Sequence, residues 1–126
     1  MSNLDVVRAG YAAFQNGDIE GVLKLCDSAV EWSYYGAVPW AGQFPGRDEV
    51  QRFFGILADM VEFEVFEPQE FVDGGENVAV FGRTFAKARG TGERIEDHWA
   101  HRFTVRGGKI VRFVGYDTTP FESSTR

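Results

Sequence analysis

Apolar side chains recur at helical spacing through the first half of the chain and at strand spacing through the second. Leu4, Val7, Tyr11 and Phe14 fall on one helical face that Ser2 or Asn3 can cap. Asn16-Gly17 ends that helix, because glycine takes the left-handed conformation at no steric cost. Asp18 caps a short second helix with Ile19, Val22 and Leu23 inward. Val50, Phe53, Phe54, Leu57 and Val61 make a third apolar stripe, with Asp48 and Glu49 in its electropositive first turn. Residues 29–35 read as a short early strand. Strands follow over 62–72, 77–89, 93–106 and 109–116, separated by the glycine turns at 73–75, 90–92 and 107–108. Pro68 cannot donate to a ladder and marks a bulge or a sheet edge. Helices first and an antiparallel meander afterwards predict an α+β fold with the helices on one face of the sheet.

Composition narrows the functional classes. A chain of 126 residues with 44% hydrophobic and 25% charged positions makes one domain over residues 1–126. From residue 118 only Phe121 offers an anchor, and that tail is expected to be loose. The net charge of -6 argues against nucleic acid, which selects a basic footprint. A single cysteine, Cys26, excludes an internal disulfide framework and a Cys-rich zinc site, and no other ligand cluster suggests a metal. The longest charge-free stretch, residues 32–46, is too short to span a membrane and is broken by Pro and Gly. The polar start has no basic region followed by an apolar one, so a cytoplasmic location is expected. Phosphate-loop, dinucleotide and nucleophile-elbow motifs are missing, so no cofactor is expected. Aromatic content is high: 12 Phe, 4 Tyr and 3 Trp exceed what a solid core of this size calls for.

Four segments, in order along the chain, carry a family likeness: residues 11–18 (Tyr11 through Asp18), 39–50 (Pro39 through Val50), 101–111 (His101 through Val111), and Tyr116-Asp117. Together they resemble the SnoaL-like branch of the nuclear transport factor 2-like superfamily, to which ketosteroid isomerase also belongs. The resemblance implies a cone: a strongly curved antiparallel sheet wrapped around the first and third helices, with a deep apolar pocket opening at one end. It also implies a small, largely apolar ring-containing ligand and a homodimer through the outer sheet face. Relatives isomerise steroids, cyclise polyketides, hydrate epoxides, or only bind, so the fold leaves the activity open. A ketosteroid isomerase uses a carboxylate base on the first strand with a Tyr and a protonated Asp as hydrogen-bond donors. The base position falls on Ser33, or on Tyr34 after a one-residue slip. The Tyr position falls on Gly10, with Tyr11 about 100° round the helix. The Asp position falls on His101 by hydrophobic parity, or on Ala100 without a gap. None is the required residue, so steroid isomerase chemistry is not expected.

Strand parity selects the candidate site. Ile95, Asp97, Trp99, His101, Phe103 and Val105 share one face, and on the next strand Val111, Phe113, Gly115 and Asp117 share another. With both faces inward, His101, Asp97 and Asp117 converge on the pocket. Imidazole with carboxylate is a general acid/base set suited to isomerisation, cyclisation or dehydration. Tyr34, Trp40, Phe44, Phe54, Trp99, Phe113 and Ser33 are the expected binding wall. Plainer readings stand beside these: His101 as a core histidine, Asp117 as a turn cap, Asp97 as a rim partner of an arginine, and Arg83 as a surface ion pair rather than an anion ligand. The loop 34–44, aromatic and free of charge, is either a lid packed as core or the pocket mouth. The alternative to an enzyme is a non-catalytic binding or protein-interaction module of the same fold.

Overall fold

The computed structural model describes residues 1–117; the predicted loose tail lies outside the described residues. Helix α1 spans Asn3–Gln15. Its start is a capping box in which the Ser2 hydroxyl accepts from the Asp5 backbone N–H at 3.1 Å and the Asp5 carboxylate accepts from the Ser2 N–H. Helix α2, Ile19–Leu25, starts on Asp18, whose carboxylate accepts from the Gly21 N–H. Helix α3, Arg47–Met60, follows Gly46 at φ 83°, a conformation that favours glycine, and carries Asp48 and Glu49 in its first turn. The strands are β1 (Cys26–Tyr35), β2 (Gly42–Gln43), β3 (Val61–Gly74), β4 (Asn77–Ala88), β5 (Arg94–Arg106) and β6 (Lys109–Asp117).

The order across the sheet is β2-β1-β6-β5-β4-β3. From β3 to β6 each strand pairs antiparallel with the next, the meander that the sequence predicts. Strand β1 pairs parallel with β6, joining the first strand to the last. Periodicity carries no record of such a long-range pairing. Strand β1 also starts three residues before the expected Ala29, because Cys26 already pairs with Ile110. Two-residue β2 is too short to show any period. Edge strand β3 shifts register between Pro68 and Glu70, so the proline sits at both an edge and a bulge.

One parity assignment is corrected. Thr104 faces Arg112 and Val105 faces Ile110, which leaves Val111 as the extra residue of a bulge in β6. The bulge turns Ile110 inward with Phe113, where strict alternation puts Val111. The curved sheet closes over α1 and α3 through Val6, Val7, Val50, Phe53 and Leu57 against Val78, Val80, Trp99, Phe103 and Ile110. Burying each such side chain favours folding by about 1.5–3 kcal/mol.

Candidate functional site

Between α1, α3 and the concave face of the sheet lies a cavity of ≈ 100 Å³. Of the expected wall, Tyr34, Trp40, Phe54, Trp99 and Phe113 line it, with Tyr11, Phe14, Trp32, Phe53, Phe66 and Phe103 beside them. Ser33 and Phe44 do not. Ser33 pairs with Gln43 and Val114 on the opposite parity to Trp32 and Tyr34, which are 4% and 7% exposed, so position 34 is the one turned inward. The Phe44 ring packs 5.1 Å from Phe53 and beneath the Arg52 guanidinium at 4.9 Å, behind the wall rather than on it. A second hollow of ≈ 400 Å³ adjoins the cavity, and Phe14, Phe54, Leu57, Val61, Phe63 and Phe66 line both. Its polar margin is Gln15, Glu64 and Arg89, at the α1–α3–β3 end of the fold rather than at the 34–44 loop.

His101 has a different partner from the one expected. Its Nδ1 shares a 2.7 Å hydrogen bond with the Tyr11 hydroxyl, and its ring stacks on Trp99 at 4.1 Å. Burial lowers the imidazole pKa to about 3 and raises the Tyr11 hydroxyl well above the ordinary phenol range, so both are neutral at pH 7. Tyr11 is the site residue that the family positions missed, since they fell on its neighbour Gly10. Its place on the inward stripe with Val7 and Phe14 was the available signal.

Asp117 pairs across the sheet with Trp99, whereas His101 pairs with Gly115, two positions away. The carboxylates therefore meet each other instead of the imidazole. Asp117 is raised to about 9, first by burial and next by the Asp97 carboxyl beside it, against smaller lowering contributions from the Tyr34 hydroxyl and the Trp40 indole. Tyr34 is raised in turn by its own burial and then by Asp117. These neighbours act on Asp117 without closing full hydrogen-bond geometry: both of its carboxyl oxygens, and Oδ1 of Asp97, have no well-formed partner. Asp97 is buried on the cavity wall, and among the described residues no arginine forms an ion pair with it. The Tyr34 ring is seated over Gly115, where a Cβ would collide with it.

Arg83, His98 and Cys26 stand apart from the cavity wall. Arg83 pairs with Glu67 at 2.8 Å, both partly exposed. His98 is largely exposed beside Glu96. Cys26 is buried, and burial pushes its thiol up to about 11, out of the nucleophilic range. Among the described residues no three His, Cys, Asp or Glu stand together in a way that holds a metal ion, and no helix is long and apolar enough to cross a membrane.

A family model for the SnoaL-like domain matches residues 7–113. The chain belongs to this family. Among solved structures, this SnoaL-like protein is similar to an NTF2-like protein of Burkholderia xenovorans LB400 (32% identity, 93% of this chain and 89% of that one, TM-score 0.84). An NTF2-like protein of Burkholderia thailandensis E264 superposes more closely at lower identity (28%, 98% and 96% of the two chains, TM-score 0.90). TerC, co-crystallized with polyporic acid, is 27% identical over 90% of this chain and 88% of its own, with a TM-score of 0.77.

Proposed function

We propose that this SnoaL-like protein binds a small, largely apolar, ring-containing molecule in the aromatic cavity and moves a proton on it without a cofactor, as in isomerisation, cyclisation or dehydration. The observation that carries this reading is the buried Asp97 carboxyl on an otherwise largely apolar wall, with the Asp117 carboxyl next to it and off the wall. Two carboxyl groups side by side in a water-poor site cannot both ionise readily, so one proton is held between them at neutral pH. Such a pair has an acceptor and a donor ready at once. Asp97, on the wall, is the group assigned to the substrate, and Asp117 behind it holds the shared proton. His101, neutral and held by Tyr11, has the role of an uncharged polar anchor rather than of an imidazolium. The crystallisation of TerC with polyporic acid supports a small-molecule ligand for this cavity.

Acetophenone tests the reading, because it is a one-ring ketone whose methyl protons exchange with solvent through the enol. The ≈ 100 Å³ cavity together with the ≈ 400 Å³ hollow beside it has room for a single-ring probe. In deuterated buffer the wild type is expected to speed that exchange. Asp97→Asn is expected to slow the protein-dependent rate by about 10²–10⁴-fold, the usual share of general acid–base catalysis. Equal exchange in the two proteins removes Asp97 from the mechanism. Binding without any exchange above solution leaves the alternative, a non-catalytic small-molecule-binding module.

A further inference from the structure

Trp32 and Trp99 both line the cavity, and their indole N–H groups are treated differently. The Trp99 Nε1 donates to the Thr84 hydroxyl at 2.9 Å. The Trp32 Nε1 is buried and has no acceptor. The Trp32 ring is not free to turn and find one. It stacks on Phe113 at 4.0 Å between centroids and packs against Phe53 at 5.8 Å and Phe54 at 5.6 Å, and the residue is 4% exposed. Those neighbours are hydrocarbon rings with no lone pair to offer. An indole nitrogen only donates, and a buried donor left unpaired is costly, so such groups in native proteins are exceptions with a reason.

We propose that Trp32 is the hydrogen-bond donor by which the cavity selects its ligand: the bound ring carries an acceptor atom, a carbonyl oxygen or a ring nitrogen, that takes the indole N–H. The inference rests on the reading that the cavity binds a ring-containing molecule, and it adds a polar requirement to it. Hydrocarbon walls hold any ring of the right size by contact alone. One fixed donor in that wall discriminates between rings by a single atom, because a ligand without the acceptor leaves the donor unpaired. Donation to a carbonyl oxygen also draws electron density toward that oxygen and makes the adjacent C–H more acidic, which serves proton removal by Asp97.

The test compares acetophenone with ethylbenzene, rings of similar size that differ in the acceptor oxygen, in wild type and in Trp32→Phe, which keeps an aromatic ring and removes the N–H. Wild type is expected to bind acetophenone about tenfold more tightly than ethylbenzene, the value of one hydrogen bond, and Trp32→Phe is expected to bind the two alike. A second measurement on the wild type does not depend on how the variant folds. Of its three tryptophan indole N–H resonances, one is expected to move downfield with acetophenone and stay in place with ethylbenzene. Equal affinities in wild type, a preference that survives Trp32→Phe, or three unmoved resonances on saturation with acetophenone would overturn the role of Trp32 while leaving ring binding intact. Failure of both rings to bind would overturn the binding reading together with this one.

Discussion

Tyr11 and His101 hold each other through a single buried hydrogen bond, and both stay uncharged there because a charge would lose its hydration. Tyr11→Phe removes the partner of a buried imidazole nitrogen while keeping the ring. It is expected to lower stability by about 1–3 kcal/mol in urea unfolding at pH 7. Asp117, partly buried beside Asp97, has the opposite consequence for pH. Its pKa in the folded protein, about 9, lies above the ordinary carboxyl value of 3.8, so between those limits the native state holds a proton that the unfolded state has released. Its contribution is complete below about pH 4 and is lost as pH rises toward 9. Asp117→Asn, which cannot ionise, is therefore expected to gain stability relative to wild type as pH rises through that window, as read from denaturant midpoints at pH 5, 7 and 9. His101 acts at the other end. Its lowered pKa makes stability fall as pH drops from about 6.5 toward 3, because there the unfolded chain takes up a proton that the folded one refuses. A midpoint difference that stays flat with pH would refute the Asp97–Asp117 assignment.

Elements were legible to the degree that they repeat. All three helices show in the spacing of Val7 with Tyr11, of Val22 with Leu23, and of Val50 with Phe53 and Leu57, because each buries one stripe. The meander shows for the same reason, and its glycine turns mark where alternation stops. The reading failed where an element departs from its period. One extra residue at Val111 reverses the face of Ile110, and β2 is too short to have a period. Glycines divide in a similar way. At Gly115 in β6 an added Cβ meets the Tyr34 ring and lies 3.2 Å from Phe113 Cε2, whereas at Gly55 in α3 nothing lies within 4 Å. Gly115→Ala is expected to destabilise by about 1–3 kcal/mol through overpacking. Gly55→Ala is expected to stabilise by about 0.5–1 kcal/mol, since alanine loses less backbone entropy in a helix. Thermal unfolding of the two variants beside wild type checks both signs.

For the molecule as a whole, the aromatic surplus has a location. Rings from α1, α3, β1, β3, β5 and β6 pack on one another in the core and line the ≈ 100 Å³ cavity within it. A ring-bearing ligand that binds only the folded state adds RT ln(1 + [L]/Kd) to stability, about 2.7 kcal/mol at a hundredfold excess over Kd. Acetophenone is accordingly expected to raise the unfolding midpoint in a concentration-dependent way, and an unchanged midpoint at saturation would argue against binding in the cavity. By itself the sequence determined the class of fold and the inventory of the site: helical and strand periods, turn glycines, an aromatic excess, and two carboxylates and a histidine at alternating positions of late strands. The family likeness followed from the same local segments. Which side chains meet was decided only by the tertiary structure. The parallel pairing of β1 with β6, the two-position offset of His101 from Asp117 across β5 and β6, and the seating of Tyr34 over Gly115 set carboxyl against carboxyl and imidazole against phenol. Periodicity records which face a residue occupies along its own element. Register and burial between distant segments select its partner, and with the partner its charge.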